Sequence, residues 1–428
     1  MIKEHFKYAF LLAFPMMLLV SGLILAPFSE ITDGLMNIIT ASSVLLTDHL
    51  AVGGLGASLV NAGLCGLAAV VMIIVLKLDV NGPFIATVFT ICGFAFFGKN
   101  IFNIWPVFIG VWLHAAYLKT RFRNYLIVAL FGTTLAPMVS FLAFGSGLNP
   151  SISIPVAIFF GILSGFVLPP LASHTLRFHD GYNLCNTGFT GGLIGSFFVA
   201  ILRGFDLEVK PVEIISTEYS GFFVVFLNVF FVILIITGFI VAKLLPEKYT
   251  DEEGDTIVNL SVFEALINIY KSSGRLVSDF VRIGSMPAVM INMGIMGIAS
   301  SVFVILLGGS FNGPVIGGII TVVGFSAYGK HLRNCIPIFA GVFLASLIQV
   351  WETNATRVIM AGLFGATLAP IAGQYGILAG IAAGFFHLSI VMNVITLHGG
   401  INLYNNCFSG GFVAAFLVPL IDALKKRS

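Results

Sequence analysis

The sequence predicts an all-α, polytopic membrane protein of two inverted-topology repeats, each of about five transmembrane helices plus a short helical hairpin, re-entrant or fully spanning. Three observations lead there. Of 428 residues, 58% are hydrophobic and 9% charged, with a mean hydropathy of +1.04, a composition incompatible with a water-soluble surface. Residues 81–113 and 312–344 repeat one another in register at an offset of 231, with 15 of 33 positions identical, so the chain is an internal duplication. Finally, Lys and Arg, which mark cytoplasmic loops, are spread oppositely over equivalent loops of the two copies.

The first apolar run, Tyr8 to Pro27, is long enough to cross about 30 Å of hydrocarbon and lacks a signal-peptide cleavage site. It is read as a mature helix near 8–27. The linker Phe28 to Leu50 has no Lys or Arg and is expected to face outward. A helix near 54–77 follows. Then comes the hairpin pair 82–98 and 101–118, where Asn81-Gly82-Pro83 has the form of a helix start and Gly98-Lys99 of a stop. Members of about 17 residues rise only about 25 Å, so the hairpin is either a short full one or a re-entrant one. Lys119, Arg121 and Arg123 put the loop Leu118 to Asn124 in the cytoplasm. Helices near 122–143, 152–172 and 182–203 complete the first half.

The duplication reaches beyond its best block. Asp48, Gly53, Asn61, Gly63 and Gly66 match Asp279, Gly284, Asn292, Gly294 and Gly297 at the same offset. LFGTTLAP at 130–137 meets LFGATLAP at 363–370 at an offset of 233, and HDGYNLCNTGFTGG at 179–192 meets HGGINLYNNCFSGG at 398–411 at 219. The difference, 14, is an insertion in the first copy, read as an extended loop near Gly145 to Ser153. A boundary near Val212 divides the chain into repeats 1–212 and 213–428, with Gly204 to Glu218 expected outside.

The second half gives helices near 219–243, 284–308, 358–372, 375–396 and 402–421, with the hairpin pair 313–329 and 333–350. Its linker, Lys243 to Arg282, holds Lys243, Lys248, Lys271, Arg275 and Arg282, and is expected in the cytoplasm opposite the base-free Phe28 to Leu50. Trp351 to Arg357 likewise keeps one base where its counterpart has three. Each half therefore crosses an odd number of times. Lys3, Lys7, Lys425, Lys426 and Arg427 place both termini in the cytoplasm.

Three constellations carry candidate chemistry. Lys99 and Lys330 sit at the hairpin tips behind the caps Asn81 and Asn312. They either present ammonium groups to a shared cavity or snorkel at the two membrane faces. With inverted halves they lie on opposite sides, which a cytoplasmic bias for bases does not explain. The last segment of each half crowds polar residues into its first dozen positions: His179, Asn183, Asn186, Thr187 and Thr190 in one, His398, Asn402, Asn405, Asn406 and Ser409 in the other. Facing lipid, these groups would be unsatisfied, so the segments are read as broken helices lining a solute path. The alternative is packing glue between helices. Third, Thr134 and Thr367 precede Pro137 and Pro370, where proline frees a backbone carbonyl for a kink or for a solute.

Other chemistries find little to rest on. His114, His174 and His387 have no metal-like spacing, and Cys65, Cys92, Cys185, Cys335 and Cys407 are read as small apolar packing residues, so neither metal nor cofactor is expected. No zinc-protease helix, nucleotide-binding loop or carboxylate pair argues for an enzyme. Among the 19 acids only Asp48, Asp180 and Asp279 fall near membrane depth. Net charge +2 without a polybasic tail argues against nucleic acid.

The segment HGGINLYNNCFSGGF with the paired NGP and GK signatures resembles a family of uncharacterised bacterial polytopic membrane proteins of about this length, over nearly the whole chain. That resemblance implies a bacterial cytoplasmic membrane and supplies no substrate. More weakly, inverted halves of five helices plus a hairpin, with YN and NN dipeptides beside glycine, look like the urea-transporter fold, which would imply a pore between the halves. The expectation is membrane transport of a small polar or anionic solute between the repeats. Its alternatives are a urea-like channel for a neutral solute, a subunit of a larger membrane complex and an intramembrane enzyme. The expected partners are the lipid bilayer and the solute, with homo-oligomerisation left open.

Overall fold

In the computed structural model the described residues are 2–245, 249–250, 256–257 and 260–425. Among the basic residues that orient the chain, Lys248, Lys426 and Arg427 and the side chain of Lys3 lie outside the described residues. The first half runs α1 (Ile2–Leu25), α2 (Phe28–Thr40), α3 (His49–Val75), α4 (Gly82–Phe94), α5 (Ile104–Tyr117), α6 (Leu126–Gly132), α7 (Ala136–Ser140), α8 (Pro150–Phe178) and α9 (Asn186–Gly204). The second runs α10 (Ser220–Leu244), α11 (Val262–Lys271), α12 (Phe280–Ile283), α13 (Met286–Leu306), α14 (Gly313–Phe325), α15 (Leu332–Ile348), α16 (Thr356–Gly365), α17 (Ala369–Tyr375), α18 (Ile377–His398) and α19 (Asn405–Lys425). A two-residue antiparallel pair, Tyr249–Thr250 with Thr256–Ile257, lies in the central linker.

Ten helical stretches among the described residues are long and apolar enough to cross a membrane, which makes this a multi-pass membrane protein. They fall five to a half, counting α6 with α7 and α16 with α17 as one broken helix each. Large apolar side chains such as Val225, Val229, Ile233, Ile236 and Ile240 on α10 stay exposed, as hydrocarbon-facing residues do.

The halves are assembled alike. α1 packs on α3 as α10 packs on α13, and α5 on α8 as α15 on α18. Between the halves, α4 lies against α14 and α9 against α19. Every residue of α4 and of α14 is buried. Their contact is close because Gly93 and Gly317 face one another, and a Cβ on either would strike the other's carbonyl oxygen. With 13 residues each, α4 and α14 rise about 20 Å, too little to cross the bilayer alone.

Three local expectations change. The two linkers, to which the sequence assigns no helix, hold helices: α2 packs Ile31, Gly34 and Ile38 on α3, and α11 packs Ala265 and Ile269 on α13. Each leaves apolar side chains outward, Phe28 and Met36 on α2 and Phe263 and Ile267 on α11, the pattern of a helix lying in a membrane surface. The insertion read as an extended loop is mostly helix. Only Ser146–Asn149 is loop, and α8 begins at Pro150 under an Asn149 cap, reaching 29 residues against 22 for α18. Asn149-Pro150 is a helix-start signal as much as a turn signal, which is why the loop reading ran too far.

Candidate functional site

The hairpin tips are built by asparagines. Asn81 Oδ1 accepts from Phe84 N and Asn312 Oδ1 from Val315 N, both at 3.1 Å, so the two expected caps start α4 and α14. At the other end Gly98 and Gly329 take φ of +116° and +140°, and the N–H of Lys99 and of Lys330 closes back on Phe94 O and Phe325 O at 3.1 Å. Asn61 Nδ2 then donates to Ala95 O and Lys99 O (2.8 and 2.9 Å), and Asn292 Nδ2 to Ser326 O and Lys330 O (2.7 and 2.9 Å). Asn103 and Asn334 donate to Gly98 O and Gly329 O at 2.8 and 2.9 Å. One loop is thus made twice, with the same bonds.

Both lysines are buried, Lys99 at 0% and Lys330 at 2% exposure, where a snorkelling side chain would put its ammonium outside. Lys99 Nζ donates to the Tyr404 hydroxyl of the other half at 2.7 Å and lies over the Tyr404 and Phe94 rings. Lys330 Nζ lies 5.1 Å over the Phe325 ring and has no hydrogen-bond partner among the described residues. Neither forms an ion pair with a carboxylate there.

The polar last segments do meet between the halves, ahead of α9 and α19. Thr134 Oγ1 donates to Asn402 Oδ1 and Thr367 Oγ1 to Asn183 Oδ1, each at 2.6 Å. The carbonyls freed by the prolines are taken across the same interface. Leu403 N donates to Thr134 O at 2.9 Å and Leu184 N to Thr367 O at 3.0 Å. Both proline helices break at a short 3-10 turn, Thr133–Leu135 and Ala366–Leu368, so each freed carbonyl serves the opposite repeat.

Asn183 Nδ2 donates further to Cys407 O at 2.9 Å and its Oδ1 accepts from Cys185 N at 3.2 Å. His179 Nε2 meets Asn186 Oδ1 at 3.0 Å, and His398 Nε2 meets Asn405 Oδ1 at 2.8 Å. Thr190 Oγ1 pairs with Thr175 Oγ1 at 2.7 Å, and buried Thr187 lies one turn before. Asn406 and Ser409 bond the His387 ring at 3.0 and 3.2 Å. Gly192 and Gly411 let Phe408 and Phe189 interlock between α9 and α19, so these segments also serve as packing surfaces.

Several groups escaped the sequence reading. Cys185 and Cys407 form a disulfide joining the two last segments over 222 residues, which corrects their reading as packing residues; Cys65, Cys92 and Cys335 are free and buried. No spacing rule links cysteines so far apart in sequence. Asp48 Oδ2 accepts from Gly313 N at 3.1 Å at the start of α14, while Asp279 Oδ1 accepts from Gly82 N at 3.0 Å at the start of α4, so each half caps the other's hairpin. Their shared register was the available signal. Tyr404 and His387 gave none. No cluster of metal-ligating side chains occurs among the described residues.

Fold and site together define a duplicated, multi-pass helical membrane protein whose buried lysines and asparagines gather where its halves interlock. The chain belongs to the family described as Protein of unknown function (DUF1576), which matches residues 28–204 and 258–423, one stretch in each half. No curated protein and no solved structure matches, so the likeness to the urea-transporter fold is left without support.

Proposed function

We propose that this protein transports a small anionic solute across the bacterial cytoplasmic membrane, through a site between two repeats of inverted orientation. The observation that carries the reading is the pair Lys99 and Lys330, buried at equivalent hairpin tips without a carboxylate partner. An unpaired ammonium away from water costs several kcal/mol, and an anionic solute that passes the two tips in turn, one at each end of the antiparallel α4 and α14, offsets that cost. Inverted orientation is supported by the opposite distribution of Lys and Arg and by the reciprocal capping of α4 and α14.

Protein reconstituted in vesicles tests the solute class: small carboxylates or phosphate are expected to cross, and urea is not. Urea flux without anion flux would replace this reading by a neutral channel. Orientation is tested by Leu35→Cys and Leu260→Cys, with the free cysteines Cys65, Cys92 and Cys335 replaced. An impermeant thiol reagent applied to intact cells is expected to reach 35 and not 260; labelling of both or of neither rules out inversion, and the reverse pattern keeps inversion but turns the whole protein over.

A further inference from the structure

At the start of α16 the Arg357 guanidinium meets Glu213 Oε2 at 2.9 Å, with 41% and 49% of the two side chains exposed. Glu213 belongs to the extended segment that runs beside Leu45–Asp48, where Val212 N donates to Leu45 O and Ile214 N to Leu46 O, both at 2.9 Å. Beneath this ion pair is a small cavity of about 40 Å³, room for two or three waters, lined by Leu46, Met360, Ile395 and Leu403 together with Arg357, Asn405 and Asn406.

The unpartnered polar groups on the side chains that line it are donors. Arg357 Nε is buried with no hydrogen-bond partner. Asn406 spends its oxygen on His387 Nε2, and among the described residues its amide nitrogen has no acceptor. Asn405 is fully used, by His398 and by Val391 O at 3.2 Å. Donors without a free acceptor, set in an otherwise apolar wall, fit an anionic head on a short hydrocarbon body. The inner wall is Leu403, next to Tyr404, which holds Lys99.

We propose that this cavity is the extracytoplasmic entrance of the solute path, that Arg357 recruits a small monocarboxylate there, and that the Arg357–Glu213 ion pair is its gate. The proposal rests on the transport reading for its direction and adds the substrate class and the gating residue. A half-exposed ion pair is weak enough to open for a competing carboxylate, which takes Glu213's place on the guanidinium.

The test measures the unfolding temperature of purified wild type, Arg357→Gln, Arg357→Lys and Glu213→Gln with butyrate, phosphate or urea, beside butyrate flux in vesicles. Butyrate is expected to raise the unfolding temperature of the wild type. Glu213→Gln, which frees the guanidinium, should reach the same shift at several-fold lower butyrate. Arg357→Gln should need roughly tenfold more or lose the shift, since a charge-assisted bond is gone, with partial recovery in Arg357→Lys. A full butyrate shift in Arg357→Gln, no shift in the wild type, or a shift by phosphate in place of butyrate overturns the proposal. So does an unchanged Glu213→Gln, which keeps the test decisive if Arg357→Gln does not fold. Wild-type anion flux that survives Arg357→Gln at full rate removes the entrance and leaves the lysine site standing. An Arg357-dependent butyrate shift without any flux supports the binding site and defeats the transport reading.

Discussion

Lys99 and Lys330 occupy one place in two copies of a loop, yet they end on different partners. The backbone bonds around them agree within 0.1 Å from Asn61 to Asn292 and from Asn103 to Asn334. Beyond the backbone the copies part. Lys99 reaches Tyr404, whose counterpart at the offset of 219 is Cys185, and Cys185 is tied to Cys407. Duplication has kept the scaffold that buries two cations and changed what they touch, so the site has twofold loops and a onefold interior.

The disulfide is the strongest expression of that asymmetry, since the register pairs Cys407 with Gly188 and no second bridge is available. Reducing it, or Cys185→Ser with Cys407→Ser, is expected to lower stability by on the order of 2–5 kcal/mol, because it closes a long loop between the halves. Thermal unfolding with and without reductant measures this. An unchanged midpoint means α9 and α19 hold the halves without it.

The asparagine locks separate the halves next. Asn183 serves Thr367, Cys185 N and Cys407 O, whereas Asn402 serves Thr134 and reaches Gly188 O only at 3.4 Å. Each buried partner left unsatisfied costs about 1–3 kcal/mol, so Asn183→Ala should destabilise more than Asn402→Ala. If both line the solute path, both also slow transport in protein that remains folded. Normal transport in both would leave them as packing residues.

The capping aspartates differ in a subtler way. Asp48 uses one oxygen for Leu50 N at 2.8 Å and the other for Ser216 N and Gly313 N, so an amide at this position turns donor against donor. Asp279 accepts Gly82 N and Val281 N on one oxygen, and its second lies 3.6 Å from the exposed Arg282. Asp48→Asn should cost about 1–3 kcal/mol and Asp279→Asn nearly nothing. Equal losses by chemical unfolding would contradict this.

The smallest effect belongs to a feature described in one half only, the Ser261–Glu264 capping box of α11. Hydrogen bonds from Ser261 hold the Glu264 carboxyl below the usual glutamate range. A depressed carboxyl contributes above its unfolded value and loses that contribution as pH falls through the folded one. Protection of the α11 amides, taken relative to the intrinsic exchange rate at each pH, should therefore fall under acid in the wild type and already be low at neutral pH in Ser261→Ala. A pH-independent wild type would remove the box as a stabilising feature.

How much of this was legible in the sequence follows physical range. Spans, caps and the duplication were readable because hydropathy, Asn-Gly-Pro starts and identical blocks are local signals. The lysines were readable as candidates but their burial was not, since it depends on α4 and α14 meeting across the halves. α2 was not legible in the same way: Ile31, Gly34 and Ile38 carry helical spacing, but over 13 residues mixed with Ser, Glu, Asp, Thr and Asn that is a weaker signal than a full apolar span. The disulfide, the Lys99–Tyr404 bond and the Arg357–Glu213 pair join residues more than 140 positions apart, and no pattern within one segment encodes them.

The central claim is that two buried lysines, one from each copy, serve a single anion path. It is tested most directly by anion and urea flux through vesicles holding wild type, Lys99→Gln, Lys330→Gln or the double variant, each checked for folding by gel filtration. The account predicts selective loss of anion flux in either single variant and abolition in the double. Anion flux at the wild-type rate through the double variant would contradict it.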